Sequence, residues 1–287
     1  MDGSFPSVIP AQAGIDDKRQ RPMTMSASAT TDVLYSVANG VGHIQFNRPQ
    51  QRNALTFVMY TRVADICATA PTDGSLRALV LSGAGGKAFA AGTDISQFRD
   101  FKGADDGLAY EARMEQILGA IEACPVPTIA ALSGACTGGG AAIAACCDMR
   151  IASADLKFGF PIARTLGNCL SAASLAKLVS LIGPAKVTEM IFLSRLLDAD
   201  EAKALQLVTE ILPSHDTVVA RALAMAGEIA KMAPLTLRVT KELLRRVRLN
   251  GAGADDHDMV ALAYGSVDFR EGLESFLAKR PPQWQGR

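Results

Sequence analysis

The stretch SGACTGGGAAIAACCDMRIAS, at residues 133–153, decides how this chain is interpreted. Three consecutive glycines at 138–140 precede small apolar residues, a pattern that predicts a tight turn leading into a buried helix. The start of such a helix has N–H groups without partners, and its dipole favours negative charge there. The turn therefore predicts a site for an oxyanion, although AAI at 141–143 carries no titratable group.

A second glycine turn has the same character. In KAFAAGTDISQF, small residues at a strand end precede Gly92 and a helix start. Each turn supplies a free N–H group, and two such donors that converge on one carbonyl oxygen form an oxyanion hole. For either turn alone, close packing of backbone segments is the simpler explanation.

The strands before these turns follow a repeated pattern. At 33–49, two alternating segments flank Asn39-Gly40, the pair that favours a type I′ hairpin turn. The apolar segments LRALVLSG and VPTIAALSGA share the tetrapeptide LSGA, at 81–84 and again at 132–135. Such repetition suits a fold built from recurring strand–turn–helix units.

Helical patterns predominate towards the C-terminus, where Asp198 and Glu201 are spaced as a capping box. We expect a disordered tail at 1–31, a mixed α/β core at 32–195 and a helical C-terminal region at 196–287. If Met23 or Met25 is the true first residue, most of the tail lies upstream of the start. The predicted helices lie at about residues 55–69, 198–208, 215–232, 235–249 and 259–280.

Composition excludes several classes of protein. Lys+Arg and Asp+Glu both number 29 in 287 residues, whereas a nucleic-acid-binding protein has a basic excess. No apolar run approaches the ~20 residues of a membrane span. We therefore expect no nucleic-acid or membrane partner. The cysteines lie in apolar segments without CxxC spacing, so we also expect no metal site and buried thiols in a reducing compartment, the cytoplasm. The six cysteines are Cys67, Cys124, Cys136, Cys146, Cys147 and Cys169.

One glycine-rich motif suggests a dinucleotide-binding site instead. GAGGKA at 83–88 follows a strand and matches the G-x-G-x-x-G/A pattern of dinucleotide sites. A further glycine turn follows where the crossover helix should run. A turn that requires glycine is therefore the better interpretation.

Several motifs together resemble the enoyl-CoA hydratase/isomerase (crotonase) superfamily across nearly everything after residue 32. They are HIQFNRPQQRNALT, GKAFAAGTDI, AALSGACTGGG, CDMRIAS, LIGPAKVTEMIFLSRLLDADEAKALQLVTEILP, APLTLRVTKELL and ESFLAKRPPQWQGR, in the family's order. The resemblance implies an α/β fold, a crotonase-like spiral of ββα repeats with a helical C-terminal region that forms a homotrimer or a dimer of trimers. It also implies a lyase or isomerase of fatty acid metabolism, with acyl-CoA or enoyl-CoA as substrate and no cofactor beyond the CoA of that substrate.

The resemblance assigns site residues as well. The backbone N–H groups of Thr93 and Gly139 would form the oxyanion hole and stabilise a thioester enolate. Asp94 also reads as the N-cap of a short helix, which we favour over a role as a base. The CoA moiety would contact Arg52, Asn53, Ala54, Asp94, Ile95, Ser96 and Lys279.

The departure from the family concerns proton transfer. Hydratases of the family carry two glutamates, and this chain has Ala142 and Ile162 at those positions, beside a loop with one extra residue at 161–167. Hydration needs one group to deprotonate water and another to protonate the α-carbon, and each contributes roughly 10²- to 10⁴-fold. Ordinary hydratase activity is therefore doubtful, whereas binding and enolate stabilisation are not affected.

Replacement groups are few. Glu115 is a candidate acid or base at the edge of the apolar stripe of its helix, although a solvated surface glutamate is the simpler explanation. Arg164 would suit a substrate carboxylate rather than proton transfer. Asn168 and Cys169 in the altered loop are further candidates.

Three functions follow from these observations. The first is an acyl-CoA enzyme of the hydratase/isomerase group that uses replacement groups, including an isomerase or a decarboxylase of a β-carboxyl thioester. The second is a non-catalytic acyl-CoA binder or structural partner. The third and weakest is a dinucleotide-dependent enzyme based on GAGGKA.

Overall fold

The computed structural model describes residues 29–287. The expected tail at 1–31 lies outside the described residues except for its last three. These form the start of a short helix, Ala29–Asp32, directly before the first strand.

Two sheets organise the described chain. The six-stranded sheet has the order β1-β2-β3-β5-β7-β9, with β1 antiparallel to β2 and the other pairs parallel, and the smaller parallel sheet has the order β4-β6-β8. The strands are β1 (Val33–Ala38), β2 (Val41–Phe46), β3 (Ala78–Gly83), β4 (Ala88–Ala90), β5 (Thr128–Leu132), β6 (Ala135–Thr137), β7 (Met149–Ser153), β8 (Lys157–Gly159) and β9 (Ile211–Leu212).

Three consecutive units build the core. The pairs β3/β4, β5/β6 and β7/β8 each supply one strand to each sheet, and a helix follows each pair. This arrangement confirms the predicted spiral of ββα repeats. The helices are α1 (Ala29–Asp32), α2 (Phe57–Ala68), α3 (Ala104–Glu122), α4 (Gly139–Cys146), α5 (Ala172–Phe192), α6 (Ala199–Ala204), α7 (His215–Ile229), α8 (Pro234–Asn250), α9 (His257–Tyr264) and α10 (Val267–Leu277).

Local sequence explains the first elements. Asn39 and Gly40 have φ of 52° and 75°, as a two-residue hairpin turn with positive φ requires, and they connect Ala38 to its partner Val41. The Thr56 side chain accepts a hydrogen bond from the Met59 N–H and so caps α2. The predicted hairpin turn and the predicted helix at about residues 55–69 are both confirmed.

The larger sheet is buried on both faces. Alternate residues of β3 divide between two apolar clusters, with Leu79 and Leu81 in the main core and Ala78 and Val80 packed against α7. The segment 196–287 is therefore not only a set of peripheral helices, because its β9 joins the larger sheet and its α7 packs against that sheet.

The end of the chain differs from the prediction. One helix was expected at 259–280, and the structure has two, α9 and α10. The break lies at Gly265-Ser266, because the Ser266 hydroxyl accepts the Phe269 N–H as an N-cap and starts a new helix. No helix of residues 29–287 is long and apolar enough to cross a membrane.

Candidate active site

The two glycine turns meet at one cleft. It lies between α3, the start of α4 and the loop after β8, and it encloses about 900 Å³ of empty space, open mouth included. Residues that line it include Gly92, Thr93, Tyr110, Glu111, Thr137, Gly139, Ala142, Phe160, Ile162, Asn168 and Cys169.

Two free donors belong to this lining. The Leu55 N–H donates to the Gly92 carbonyl and the Asp94 N–H to the Leu55 carbonyl, so the Thr93 peptide between them faces away from Leu55. Gly139 begins α4, where no preceding helical carbonyl can accept its N–H. Within residues 29–287, neither the Thr93 nor the Gly139 N–H donates to another residue. The pair is suited to hold the oxygen of a polarised carbonyl.

Close contacts explain why glycines occupy the turn. A Cβ atom at Gly139 would lie 1.5 Å from the Tyr60 hydroxyl oxygen, and one at Gly140 would lie 2.3 Å from the Ala90 carbonyl oxygen. Either contact is far inside van der Waals distance. The α4 start therefore packs so tightly against β4 and α2 that a larger residue would displace the donors.

A group of hydroxyls lies behind the donors. The Tyr60 hydroxyl is 2.9 Å from Thr93 Oγ1, and the Tyr110 hydroxyl is 3.4 Å from the same atom. Burial raises the pKa of both tyrosines above the ordinary value of 10.0, so both stay protonated near neutral pH. No sequence pattern indicated this group, because Tyr60 and Thr93 are 33 residues apart.

The two positions that lack glutamates both face the cleft. Ala142 lies in the first turns of α4, and Ile162 is buried in the short turn after β8. Neither can transfer a proton. This part of the lining is apolar where a hydratase of the family would carry carboxylates.

A carboxylate that the sequence analysis missed lies in the cleft. Glu111 lines it from α3, and the Ser171 N–H at the start of α5 lies near enough to its carboxylate to favour the charged form. Burial raises the pKa of Glu111 above its ordinary 4.5, and the nearby charge of Glu115 adds to this. Glu115 itself is exposed and lies outside the cleft lining. Spacing could have found Glu111, because it lies three residues before the buried Met114 on the same helix face.

Residues assigned to the CoA moiety lie in different settings. The Asp94 carboxylate caps its short helix by accepting the Ser96 N–H and pairs with the Arg48 guanidinium at 2.9 Å. The buried Asn53 side chain donates to the carbonyls of Ala84 and Ala88 at 3.0 and 2.8 Å. These two side chains are therefore already engaged within the fold.

The other CoA-side candidates are more accessible. Ile95 is exposed at the cleft, the Ser96 hydroxyl bonds to the Asp94 carboxylate, and Ala54 accepts a hydrogen bond from Arg48. Arg52 and Lys279 are exposed and lie outside the cleft lining.

The loop after β8 places Arg164 and Cys169 differently from what the sequence suggested. Arg164 is exposed and outside the lining, whereas Asn168 and Cys169 line the cleft. The cysteines were expected to be buried, and five are, but Cys169 is exposed because its loop lies at the cleft mouth. The GAGGKA turn leads into β4 rather than a helix, so it lacks the strand–turn–helix context of a dinucleotide site.

The spiral of ββα repeats and two free N–H groups at one cleft define a class of proteins that hold an acyl group by its carbonyl oxygen. The sequence matches the family profile described as Enoyl-CoA hydratase/isomerase over residues 36–287. The chain therefore belongs to the enoyl-CoA hydratase/isomerase family.

Individual relatives agree with this assignment. The chain is 34% identical over 250 residues to the protein named "Probable enoyl-CoA hydratase echA8" of Mycobacterium tuberculosis, covering 86% of this chain and 95% of that protein. It is 30% identical over 260 residues to 2,3-dehydroadipyl-CoA hydratase of Escherichia coli, covering 90% and 100%. A crystal structure of an enoyl-CoA hydratase/carnithine racemase from Magnetospirillum magneticum is similar with a TM-score of 0.82 at 33% identity, covering 90% and 97%.

Proposed function

We propose that this protein is an enzyme that binds acyl-CoA thioesters and stabilises their enolates in order to move a proton at the acyl chain. The observation that carries the proposal is the pair of free N–H groups, Thr93 and Gly139, at one cleft. A thioester enolate concentrates negative charge on its oxygen, and one backbone donor aimed at that oxygen is typically worth about 3 to 4 kcal/mol.

Glu111 is the group that we assign to the proton. As a carboxylate it would take a proton from the α-carbon, and as the resulting acid it would return that proton to another carbon of the enolate. Its raised pKa suits this exchange, because a base works best when its pKa approaches the operating pH. Glu115, exposed outside the lining, is the weaker candidate.

One carboxylate favours isomerase-type chemistry over hydration. Several relatives are named hydratases, but hydration calls for two proton-transferring groups and Ala142 and Ile162 supply none. Decarboxylation of a β-carboxyl thioester has less support, since Arg164 lies outside the lining and the Glu111 charge would repel a second carboxylate. The substrate that fits best is an acyl-CoA or enoyl-CoA without a charged acyl end.

We also propose that the working form is a homotrimer or a dimer of trimers. The last two helices carry large apolar side chains in water, among them Phe276, 82% exposed, and Leu277, 72% exposed. Patches of this kind mark contact surfaces in soluble proteins. Light scattering on the purified chain is expected to give a mass of three or six chains, and a monomer at micromolar concentration would contradict this proposal.

The catalytic proposal is tested with a panel of CoA thioesters incubated with the protein in D₂O and analysed by mass spectrometry. We expect deuterium uptake or isomerisation for at least one thioester, and no added water. Tight binding of the whole panel without any chemical change would instead support a non-catalytic acyl-CoA binder. Binding of NAD and not of CoA would support the dinucleotide alternative.

A further inference from the structure

We propose that Tyr60 and Tyr110 are positioning residues that fix the Thr93 oxyanion donor through its side-chain hydroxyl. The inference rests on the proposed function, because it assigns a role to Thr93 in that site. It concerns a chain of three hydroxyls, Tyr60–Thr93–Tyr110, that lies partly beneath the cleft surface.

The two tyrosines reach Thr93 from different helices. Tyr60, on α2, is fully buried in the main core, and its hydroxyl is 2.9 Å from Thr93 Oγ1. Tyr110, on α3, lines the cleft and is held edge-on by the rings of Phe98 and Phe101, at centroid distances of 5.0 and 6.1 Å. Thr93 is thus fixed from the core on one side and from the cleft wall on the other.

The need of buried hydroxyls for hydrogen-bond partners determines which of the three hydroxyls donates to which. Within residues 29–287, Thr93 Oγ1 is the only partner of the buried Tyr60 hydroxyl. A buried hydroxyl proton without an acceptor is costly, so the Tyr60 O–H donates to Thr93, and Thr93 in turn can donate to Tyr110. Each hydroxyl therefore restricts the next.

This restriction matters because the residue before Thr93 is a glycine at a turn. Gly92 has φ of 109°, a backbone conformation that residues with a Cβ rarely adopt, and glycine at such a turn permits several orientations of the next peptide. Anchoring the Thr93 side chain to two rigid tyrosines limits those orientations. An oxyanion donor must be held to within a fraction of an ångström to be effective.

The Tyr60 hydroxyl also lies against Gly139, whose N–H is the second oxyanion donor. It occupies the place where a Cβ of Gly139 would be, 1.5 Å from that ideal position. One buried hydroxyl therefore lies against Thr93 and Gly139 together. Removing the Tyr60 hydroxyl should therefore leave the N–H groups of both Thr93 and Gly139 less constrained. A hydroxyl that contacted Thr93 alone would affect only one of them.

The test uses acetoacetyl-CoA, a thioester whose enolate absorbs in the near ultraviolet when it is bound by an oxyanion hole. We expect Tyr60→Phe and Thr93→Val each to lower the bound enolate fraction about tenfold or more, with total ligand affinity changed less than threefold. Thr93→Ser keeps the hydroxyl and should restore most of the signal. Tyr35→Phe is the matched control, because Tyr35 is a partly buried tyrosine outside the cleft lining.

The outcomes separate the two proposals. If the wild type binds acetoacetyl-CoA and shows no enolate signal, the proposed function fails. If the wild type shows the signal and folded Tyr60→Phe equals it, the positioning role fails. Should Thr93→Val not fold, Tyr110→Phe replaces it, and an enolate fraction equal to wild type in both tyrosine variants overturns the inference.

Discussion

The end of the cleft that we propose binds the carbonyl and the end that we propose transfers the proton depend on different parts of the chain, the first on backbone groups and the second on side chains. At the first end, Thr93 and Gly139 contribute backbone N–H groups that two glycine turns hold in place. At the second end, chemistry depends on side chains, and the positions that carry glutamates in hydratases of the family are Ala142 and Ile162.

The difference shows which part of such a site can change without loss of the fold. A backbone donor is retained as long as the turn folds, and the turn is fixed by contacts such as that between Gly140 and the Ala90 carbonyl. A proton-transferring side chain can be replaced with little effect on packing, and the group that we propose for this role, Glu111, lies on a different helix, α3. The following predictions test that division, in decreasing order of expected effect.

Glu111→Gln should reduce turnover of whichever thioester is the substrate by about 10²- to 10⁴-fold, because glutamine cannot accept the proton. Glutamine has nearly the same size and keeps a side-chain oxygen near the Ser171 N–H, so the loop should stay in place. The control is Glu115→Gln, which removes an exposed charge from the same helix and should leave at least a third of the activity.

The pH dependence sharpens this prediction. Glu111 acts as a base only when ionised, so the wild-type rate should rise with pH through its pKa, which burial raises above 4.5. In Glu111→Gln that limb should disappear from the pH–rate profile. Persistence of the same limb in the folded variant would assign it to another group.

Gly139→Pro should lower turnover by about 10²- to 10³-fold relative to Gly139→Ala, because proline lacks the N–H. The comparison with alanine is needed, since a Cβ at this position meets the Tyr60 hydroxyl in both variants. Proline is otherwise tolerated at the first position of a helix, where Gly139 lies. Equal steady-state rates for the two variants, with Gly139→Ala still active and folding verified by circular dichroism, would remove Gly139 from the oxyanion hole.

Ala142→Glu combined with Ile162→Glu should raise hydration of crotonyl-CoA by about tenfold over a very slow wild type. The gain is partial because the extra residue at 161–167 displaces the second carboxylate, and about 1 Å of misplacement costs on the order of a hundredfold. Ile162 is buried, so its replacement also lowers stability. Loss of enoyl absorbance gives the rate, and Ala142→Glu alone is the better-folded comparison.

Removal of the charges of Arg52 and Lys279 should weaken CoA binding by about two- to fivefold at low salt, since exposed charge pairs are worth about 0.2 to 1 kcal/mol. The effect should shrink as salt rises, because screening acts over about 10 Å at 0.1 M. Calorimetry at two ionic strengths measures it, with Lys231→Met, an exposed lysine that is not assigned to the CoA moiety, as the control. Affinity independent of salt in the wild type would exclude these contacts.

Sequence patterns predicted the carbonyl end better than the proton end. The glycine turns are local, so the sequence indicated a free N–H group at each turn, and the family resemblance assigned these groups to Thr93 and Gly139. Glu111 lies on the helix face that Met114 marks, so spacing could have indicated it, whereas the buried Tyr60 on α2 reaches Thr93 through tertiary packing that no local pattern encodes. The strands and most helices followed from periodicity, whereas the break at Gly265-Ser266 required competition between an apolar stripe and a serine cap.

The central claim is that the cleft stabilises an enolate and moves a proton without adding water. The most direct measurement incubates wild-type protein with a series of 3-enoyl-CoAs and identifies the products by ultraviolet absorbance and mass. We expect conjugated 2-enoyl-CoA for at least one chain length, with products heavier by one water absent or minor. Rapid formation of 3-hydroxyacyl-CoA from these substrates would contradict it, and so would tight binding of the series with no conversion at all.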